Sequence, residues 1–309
     1  MKIIKNISVI GMGAIGCAYM SKIHDLNPNV LKVIADNKRI ERYKRYGFII
    51  NDKRYDFEYI TPEEKCEPAD LIFISVKSNQ LDQAILDIKN HVGKNTIIMS
   101  LMNGITSEEI IGKEYGMDKM LYALCIGIDG NHTGNNISFS NLGNITFGEK
   151  INKQYSQKVK SVKELFDRAR IPYEIPEDMM HAMWYKFMIN VGINQTSAAV
   201  RGTYGLFQQI DEAKEFMESA MMEVVRLSQR IGVNLTENDI EQWHKVLDTM
   251  APDSKTSMCQ DITYGRKTEV DIFAGTVCKL GEEYRIDTPV NRTLLNIIKI
   301  LEHTKVLKE

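Results

Sequence analysis

Apolar positions in the first half of the chain fall into short runs at residues 6–10, 31–35, 71–75, 96–100, 120–125 and 145–147. Each is rich in β-branched or aromatic residues, and stretches of helical spacing separate most of them. Strands that read as continuous apolar runs suit a mostly parallel sheet buried on both faces, with helices as crossovers. Residues 127–143 are rich in Gly and Asn and lack helical period, which predicts hairpin strands and turns at the sheet edge. After residues 171–177, which carry Pro172 and Pro176, the period changes to 3.6 and stays helical almost to the end. The predicted helices cover 178–199, 208–231, 237–250, the vicinity of 258–264, 269–284, and a last stretch after Pro289. The expected architecture is an α/β, Rossmann-type doubly wound sheet over residues 1–172, followed by an all-α domain over residues 173–309. A chain of 309 residues suits two cores better than one, and the cleft between two domains is the default place for a ligand.

Charge narrows the classes of partner. Lys and Arg total 39 against 41 Asp and Glu, a net charge of -2. That balance leaves no electrostatic footprint for nucleic acid or an anionic membrane. No apolar stretch approaches the roughly 20 residues of a membrane span, and the first run stops at once in a glycine turn, so a cytoplasmic protein without signal peptide or anchor is expected. Cys17, Cys66, Cys125, Cys259 and Cys278 are scattered and never form a C-x-x-C pair, which argues for buried or bystander thiols rather than disulfides or zinc. The methionines at 179, 180, 183, 188, 217, 221 and 222 read as gap-filling core, and no metal is implied. A small molecule is the expected partner, and the helical second half offers a surface for a homodimer.

The first apolar run leads directly into Gly11-Met12-Gly13-Ala14-Ile15-Gly16 and then a helical stretch. In that context the spacing has a mechanism: Gly11 permits a tight turn, Gly13 lets backbone approach a pyrophosphate, and Gly16 lets helix pack on strand. The helix N-terminus faces the anion. Asp36 ends the second run about twenty residues later, where a carboxylate accepts a hydrogen bond from a ribose 2'-hydroxyl and favours NAD(H). Lys38 and Arg39 follow at once. They would pair with a 2'-phosphate if Asp36 turned away toward Arg39, so the residues leave the dinucleotide open.

In the first helix of the second half, Lys186, Asn190 and Asn194 recur every four residues within a sequence otherwise full of Met, Trp, Phe, Ile and Val. That interval puts them on one face. Unpaired amide or ammonium groups cost several kcal/mol to bury, so the stripe must meet partners, either neighbouring helices or a ligand. Reduction of a ketone requires a proton donor at the oxygen that becomes negative, and Lys186 has the chemistry to act as that acid. Glu269, at the expected start of another helix, would pair with the lysine or bind a substrate hydroxyl, with Asp271 as its competitor. His181 precedes the lysine by five residues, but no carboxylate spacing marks it as half of a dyad.

At these residues the chain resembles the ketopantoate reductase family over essentially its whole length. The glycine turn is similar to that family's nucleotide loop, Ser75-Val76-Lys77-Ser78-Asn79-Gln80 to its strand-end lysine motif, and Met102-Asn103-Gly104-Ile105 to its Asn-Gly turn. Trp184-Tyr185-Lys186-Phe187-Met188-Ile189-Asn190 resembles its catalytic helix. Ser257-Met258-Cys259-Gln260-Asp261 and Gly265-Arg266-Lys267-Thr268-Glu269-Val270-Asp271 resemble its two C-terminal motifs. The resemblance implies NADPH-dependent reduction of 2-dehydropantoate to pantoate, a step toward coenzyme A. It implies Lys186 as general acid and Glu269 beside the lysine or the substrate hydroxyl. Asn190, Asn194 and Ser257 would bind substrate, and Lys77 and Asn103 would lie near the nicotinamide. Three positions depart from the family pattern: Asp36 where an arginine is common, Ser254 where some members carry asparagine, and Phe273-Ala274-Gly275 in place of Asn-Gly. The first reopens the choice between NADP(H) and NAD(H). The others leave room for a different 2-keto acid, and a non-enzymatic dinucleotide sensor is the rival of another class.

Overall fold

In the computed structural model, which describes residues 3–304, the six apolar runs of the first half become strands, and six shorter strands outside those runs join them. In chain order these are Ile7–Ile10 (β1), Leu31–Ile34 (β2), Phe48–Ile50 (β3), Lys53–Tyr55 (β4), Glu58–Ile60 (β5), Leu71–Ile74 (β6), Ile97–Ser100 (β7), Met120–Ile126 (β8), Asn131–Thr133 (β9), Asn136–Ser138 (β10), Asn144–Gly148 (β11) and Tyr173–Glu174 (β12). Helices Ala14–Leu26 (α1), Asn37–Tyr46 (α2), Leu81–Asp87 (α3), Ser107–Tyr115 (α4) and Gln157–Ala169 (α5) connect them. Among the described residues eight strands form one sheet in the order β12-β11-β8-β7-β6-β1-β2-β5. Pairing is parallel from β5 to β8, and only β11 runs antiparallel to its neighbour β8. The strand order reverses between β1 and β6, the doubly wound arrangement read from the pattern, and such reversals open a crevice at the carboxyl ends of the strands.

Both faces of this sheet are apolar because successive side chains point to opposite sides. Val9, Phe73 and Met99 pack with Tyr19 and Met20 of α1 and Phe166 of α5. Ile10, Ile72, Ile74 and Ile98 pack with Leu81 and Ile85 of α3 and Ile111 of α4.

The Gly- and Asn-rich stretch does form a hairpin, β9 with β10, but its place differs from expectation. It joins β3 and β4 in a second, four-stranded sheet instead of edging the main one. Asn51 holds it there by donating to the Phe139 carbonyl at 3.0 Å and accepting the Phe139 N–H at 2.9 Å. The chain divides into two compact units, Met1–Met179 and Met180–Glu309. The first extends past residue 172 because β12 pairs with β11 and the Met179 N–H bonds the Lys150 carbonyl at 3.0 Å.

The second unit is helical, as the 3.6 period predicts: Met179–Ile189 (α6), Gln195–Val200 (α7), Tyr204–Gln209 (α8), Asp211–Ile231 (α9), Glu237–Leu247 (α10), Ser257–Tyr264 (α11), Ala274–Tyr284 (α12) and Pro289–His303 (α13). Extended backbone at Ile210 splits α8 from α9, where the sequence predicts one helix. The core gathers Phe187, Met217, Met221, Val224, Val277, Leu294 and Ile298, all essentially inaccessible. Through it runs a satisfied polar spine. Gln195 accepts the Ala274 N–H at 2.8 Å and donates to Asn291 at 3.1 Å, and Asn291 donates to Glu223 at 2.7 Å. The Glu223 carboxylate also takes the Val290 and Asn291 N–H groups, where an anion suits the start of α13. No helix among the described residues is long and apolar enough to cross a membrane.

Candidate functional site

The turn of residues 11–16 sits where the strand order reverses. Gly11 has φ +98°, and a Cβ there would lie 2.3 Å from the Ser75 carbonyl oxygen beyond β6. A Cβ on Gly16 would lie 2.2 Å from the Gly11 oxygen. These two glycines are therefore required by the fold itself. Gly13 is different: a Cβ there would meet nothing within 4 Å. It is also the N-cap of α1, so no side chain caps that helix, and no acidic residue occupies its first turn. An open glycine before an uncapped helix N-terminus is the cradle a dinucleotide pyrophosphate needs.

Met12 is buried, while Ala14 and Ile15 are partly exposed along the same turn. Lys77 lies just past β6 and is exposed, at the N-cap of the single turn Ser78–Gln80. Asn103 follows β7 by three residues and is partly buried, and Gly104 takes φ +94°, which closes the turn. The glycine turn, Lys77 and Asn103 thus all follow the carboxyl ends of the adjacent strands β1, β6 and β7.

Asp36 stands two residues beyond β2 as the N-cap of α2, where its carboxylate accepts the Arg39 N–H at 2.8 Å. The Arg39 Nε lies 3.4 Å from the same carboxylate, and both side chains are largely exposed. The pairing of Asp36 with Arg39 considered from sequence is therefore present, and Asp36 remains at the strand end.

In the second unit Lys186 and Asn190 are partly buried and Asn194 is buried. The helix does not run regularly through them. Residues Asn190–Asn194 form a π-helical turn between α6 and α7, and Asn194 donates to the Asn190 side-chain oxygen at 3.2 Å. Side chains support the wide turn from its far side: Gln195 donates to the Val191 carbonyl at 2.8 Å and Thr196 to the Gly192 carbonyl at 2.8 Å. Gly192 allows the close packing, since a Cβ there would lie 2.3 Å from the end of the Met221 side chain on α9. Single π-turns inside α-helices recur at functional sites. This one re-aims the two asparagines relative to Lys186.

Glu269 does not begin a helix as the sequence predicts. It lies in a turn five residues before α12, with the Ile272 N–H bonding its carbonyl at 3.1 Å. The strand of chain leading to it is pinned by Glu302 of α13, which takes Lys267 at 2.6 Å, the Thr268 N–H at 2.8 Å and the Thr268 hydroxyl at 2.6 Å. Asp271, the competing carboxylate, is exposed and paired with Lys299 at 2.9 Å. Ser257 opens α11 and is exposed. Its orientation comes from Thr256, which sequence reading missed. Thr256 caps the helix through the Cys259 N–H at 3.2 Å and bonds the Ser197 hydroxyl of α7 at 2.7 Å. A Thr followed by a short apolar helix was the available signal. His181 does meet a carboxylate, Asp239 at 3.1 Å, supplied by α10 and invisible in the local spacing.

Residues 7–152 match the family described as ketopantoate reductase PanE/ApbA, and residues 178–302 match the ketopantoate reductase PanE/ApbA C-terminal family. A 2-dehydropantoate 2-reductase of Streptococcus pyogenes serotype M3 is 25% identical over 298 residues, covering 95% of this chain and 97% of that protein. The crystal structure of a PanE/ApbA family ketopantoate reductase from Ralstonia eutropha JMP134 superimposes with a TM-score of 0.84 at 20% identity, over 97% of this chain and 99% of its own. The ternary structure of D-mandelate dehydrogenase with NADH and anilino(oxo)acetate also gives 0.84 at 20% identity, over 98% and 100%. With both halves matched in order and its fold shared end to end, the chain belongs to the ketopantoate reductase family of oxidoreductases.

Proposed function

We propose that this protein reduces 2-dehydropantoate to pantoate with NAD(P)H, a cytoplasmic step toward pantothenate and coenzyme A. The observation that carries the reading is one chain holding both an open glycine cradle before an uncapped helix and a lysine followed by paired amides on a π-turn. A bound reduced nicotinamide supplies the hydride. Gly11, Met12, Gly13, Ala14, Ile15 and Gly16 would hold its pyrophosphate at the turn and helix start, and Lys77 and Asn103 would border its nicotinamide end. Asp36 and Arg39 would meet the adenosine ribose: the carboxylate would accept from a 2'-hydroxyl, while the guanidinium would pair with a 2'-phosphate.

As hydride reaches C2 of the keto acid, negative charge builds on the carbonyl oxygen. Lys186 donates the proton there from Nζ, and the product is the 2-hydroxy acid. Glu269 holds the ammonium or the substrate hydroxyl. Asn190, Asn194 and Ser257 offer amide and hydroxyl groups to the carboxylate and hydroxyl of the substrate.

The test follows loss of reduced-nicotinamide absorbance on mixing protein with 2-dehydropantoate, with NADPH and NADH side by side and with bulkier 2-keto acids as alternatives. Turnover of 2-dehydropantoate is expected, and Lys186→Ala should lower kcat by roughly 100-fold or more. Full activity in that variant would remove Lys186 as the acid. Turnover only with a bulkier acid would replace the substrate and keep the chemistry, and cofactor binding without turnover of any acid would favour the sensor.

A further inference from the structure

One carboxyl group in the first unit has no part in the chemistry above and stands where an ordinary carboxylate would not. Glu108 lies in the first turn of α4 beside Glu109, where an acidic residue ordinarily faces solvent and complements the helix N-terminus. Glu109 is exposed as expected, whereas Glu108 is 1% exposed. Burying a carboxyl is expensive unless its oxygens are engaged. Here they are: Glu108 accepts its own backbone N–H, the N–H of Ala123 on β8, and the Ser107 hydroxyl at 2.9 Å. Burial pushes the carboxyl up to about 7.

The contacts continue beyond Ser107. Its hydroxyl lies 2.8 Å from that of Ser100, the last residue of β7. With the Ser107 proton given to the ionised Glu108 carboxylate, the Ser107 oxygen is left to accept from Ser100. The Ser100 oxygen in turn accepts the Met102 N–H at 3.4 Å. A directed chain therefore runs from the backbone just before Asn103, through two buried hydroxyls, to a carboxyl fixed on the neighbouring strand. Both ends of the loop at residues 101–107 are tied to it.

We propose that Glu108 is a positioning residue: through Ser107 and Ser100 it sets the Asn103-Gly104 turn at the carboxyl end of β7, so that the Asn103 amide is presented to the nicotinamide and substrate in one orientation. This rests on the reading that Asn103 meets those ligands. Glu108 touches neither; it acts through the loop.

The experiment measures cofactor Kd from the fluorescence of NADPH or NADH, then KM and kcat with 2-dehydropantoate, for wild type, Glu108→Gln, Asn103→Ala and the double variant. Glu108→Gln keeps the volume but presents an amide where two backbone donors and a hydroxyl converge. It should raise cofactor Kd by about three- to tenfold, and the double variant should be no worse than Asn103→Ala alone within about twofold. Constants all within about twofold of wild type, or effects that multiply in the double variant, would overturn the proposal. If Glu108→Gln fails to fold, Ser100→Ala cuts the same chain at its loop end and must reproduce the shift in Kd, and an unchanged Kd there overturns it. Wild-type protein that binds cofactor but leaves 2-dehydropantoate unreduced would sink the substrate reading alone, because Kd still decides the role of Glu108. Failure to bind either cofactor would remove both.

Discussion

The glycine turn of the first unit and the lysine helix of the second are built on opposite principles. In the turn, the proposed function rests on what is missing: Gly13 leaves space in which a Cβ would touch nothing, and α1 starts without a side-chain cap. In the helix it rests on side chains that the surrounding structure aims, with Gln195 and Thr196 holding open the π-turn that carries Asn190 and Asn194. A site made of backbone needs only local sequence. A site made of aimed side chains needs the whole unit. Variants of the two should therefore fail in different ways.

The widest separation is expected at Lys186. Replacing it with alanine should lower kcat by the roughly 100-fold proposed above while leaving cofactor Kd and thermal midpoint near wild type, because the proposed acid acts on the reaction and not on the dinucleotide. A variant equally impaired in cofactor binding would break the division between the two regions.

Next come the glycines, which sharpen the contrast within the turn. Gly11→Ala forces φ +98° on a residue whose Cβ would sit 2.3 Å from backbone. The strain and clash should cost about 3 kcal/mol or more and lower the melting temperature by on the order of 10 °C. Gly13→Ala has no such conflict within the protein. It should melt like wild type and yet bind either reduced cofactor about tenfold more weakly, since the added methyl group meets only the pyrophosphate. Calorimetry of both variants, with and without cofactor, separates a fold glycine from a ligand glycine. A lowered melting point in Gly13→Ala would show that the open space is needed by the fold itself.

The same contrast explains what was legible in the sequence. Gly11, Gly13 and Gly16 were readable because strand, turn and helix start are contiguous, and the alternation of apolar runs gave the doubly wound order. The stripe of Lys186, Asn190 and Asn194 was readable as spacing. The π-turn beneath it was not, because it depends on Gly192 meeting Met221 from α9. Glu269 reads locally as a helix start, whereas the chain leading into its turn is held by Glu302, far along the sequence. The strands β3 and β4 escaped notice because they are three residues long, with Lys53 and Arg54 exposed. Nothing in the local spacing marks Glu108, because its burial depends on contacts with Ala123 of β8.

The smallest effect tests which dinucleotide the first unit prefers. Asp36 and Arg39 hold each other at 3.4 Å on a largely exposed surface. A 2'-phosphate would have to take Arg39 from Asp36 and sit beside a carboxylate. A 2'-hydroxyl would leave the pair intact and donate to Asp36. Asp36→Asn keeps an N-cap for α2 while removing the charge, so it should tighten NADPH by about two- to fivefold and weaken NADH by no more than that, the scale of an exposed charge interaction. Arg39→Ala should do the reverse to NADPH alone. Titrating both cofactors against both variants reads the ratio directly, at low and at moderate salt. A preference that moves with these substitutions and shrinks as salt rises places the ribose against this pair. A preference that ignores them would mean that Asp36 and Arg39 serve only to start α2, and that the adenosine end is read by other residues of the first unit.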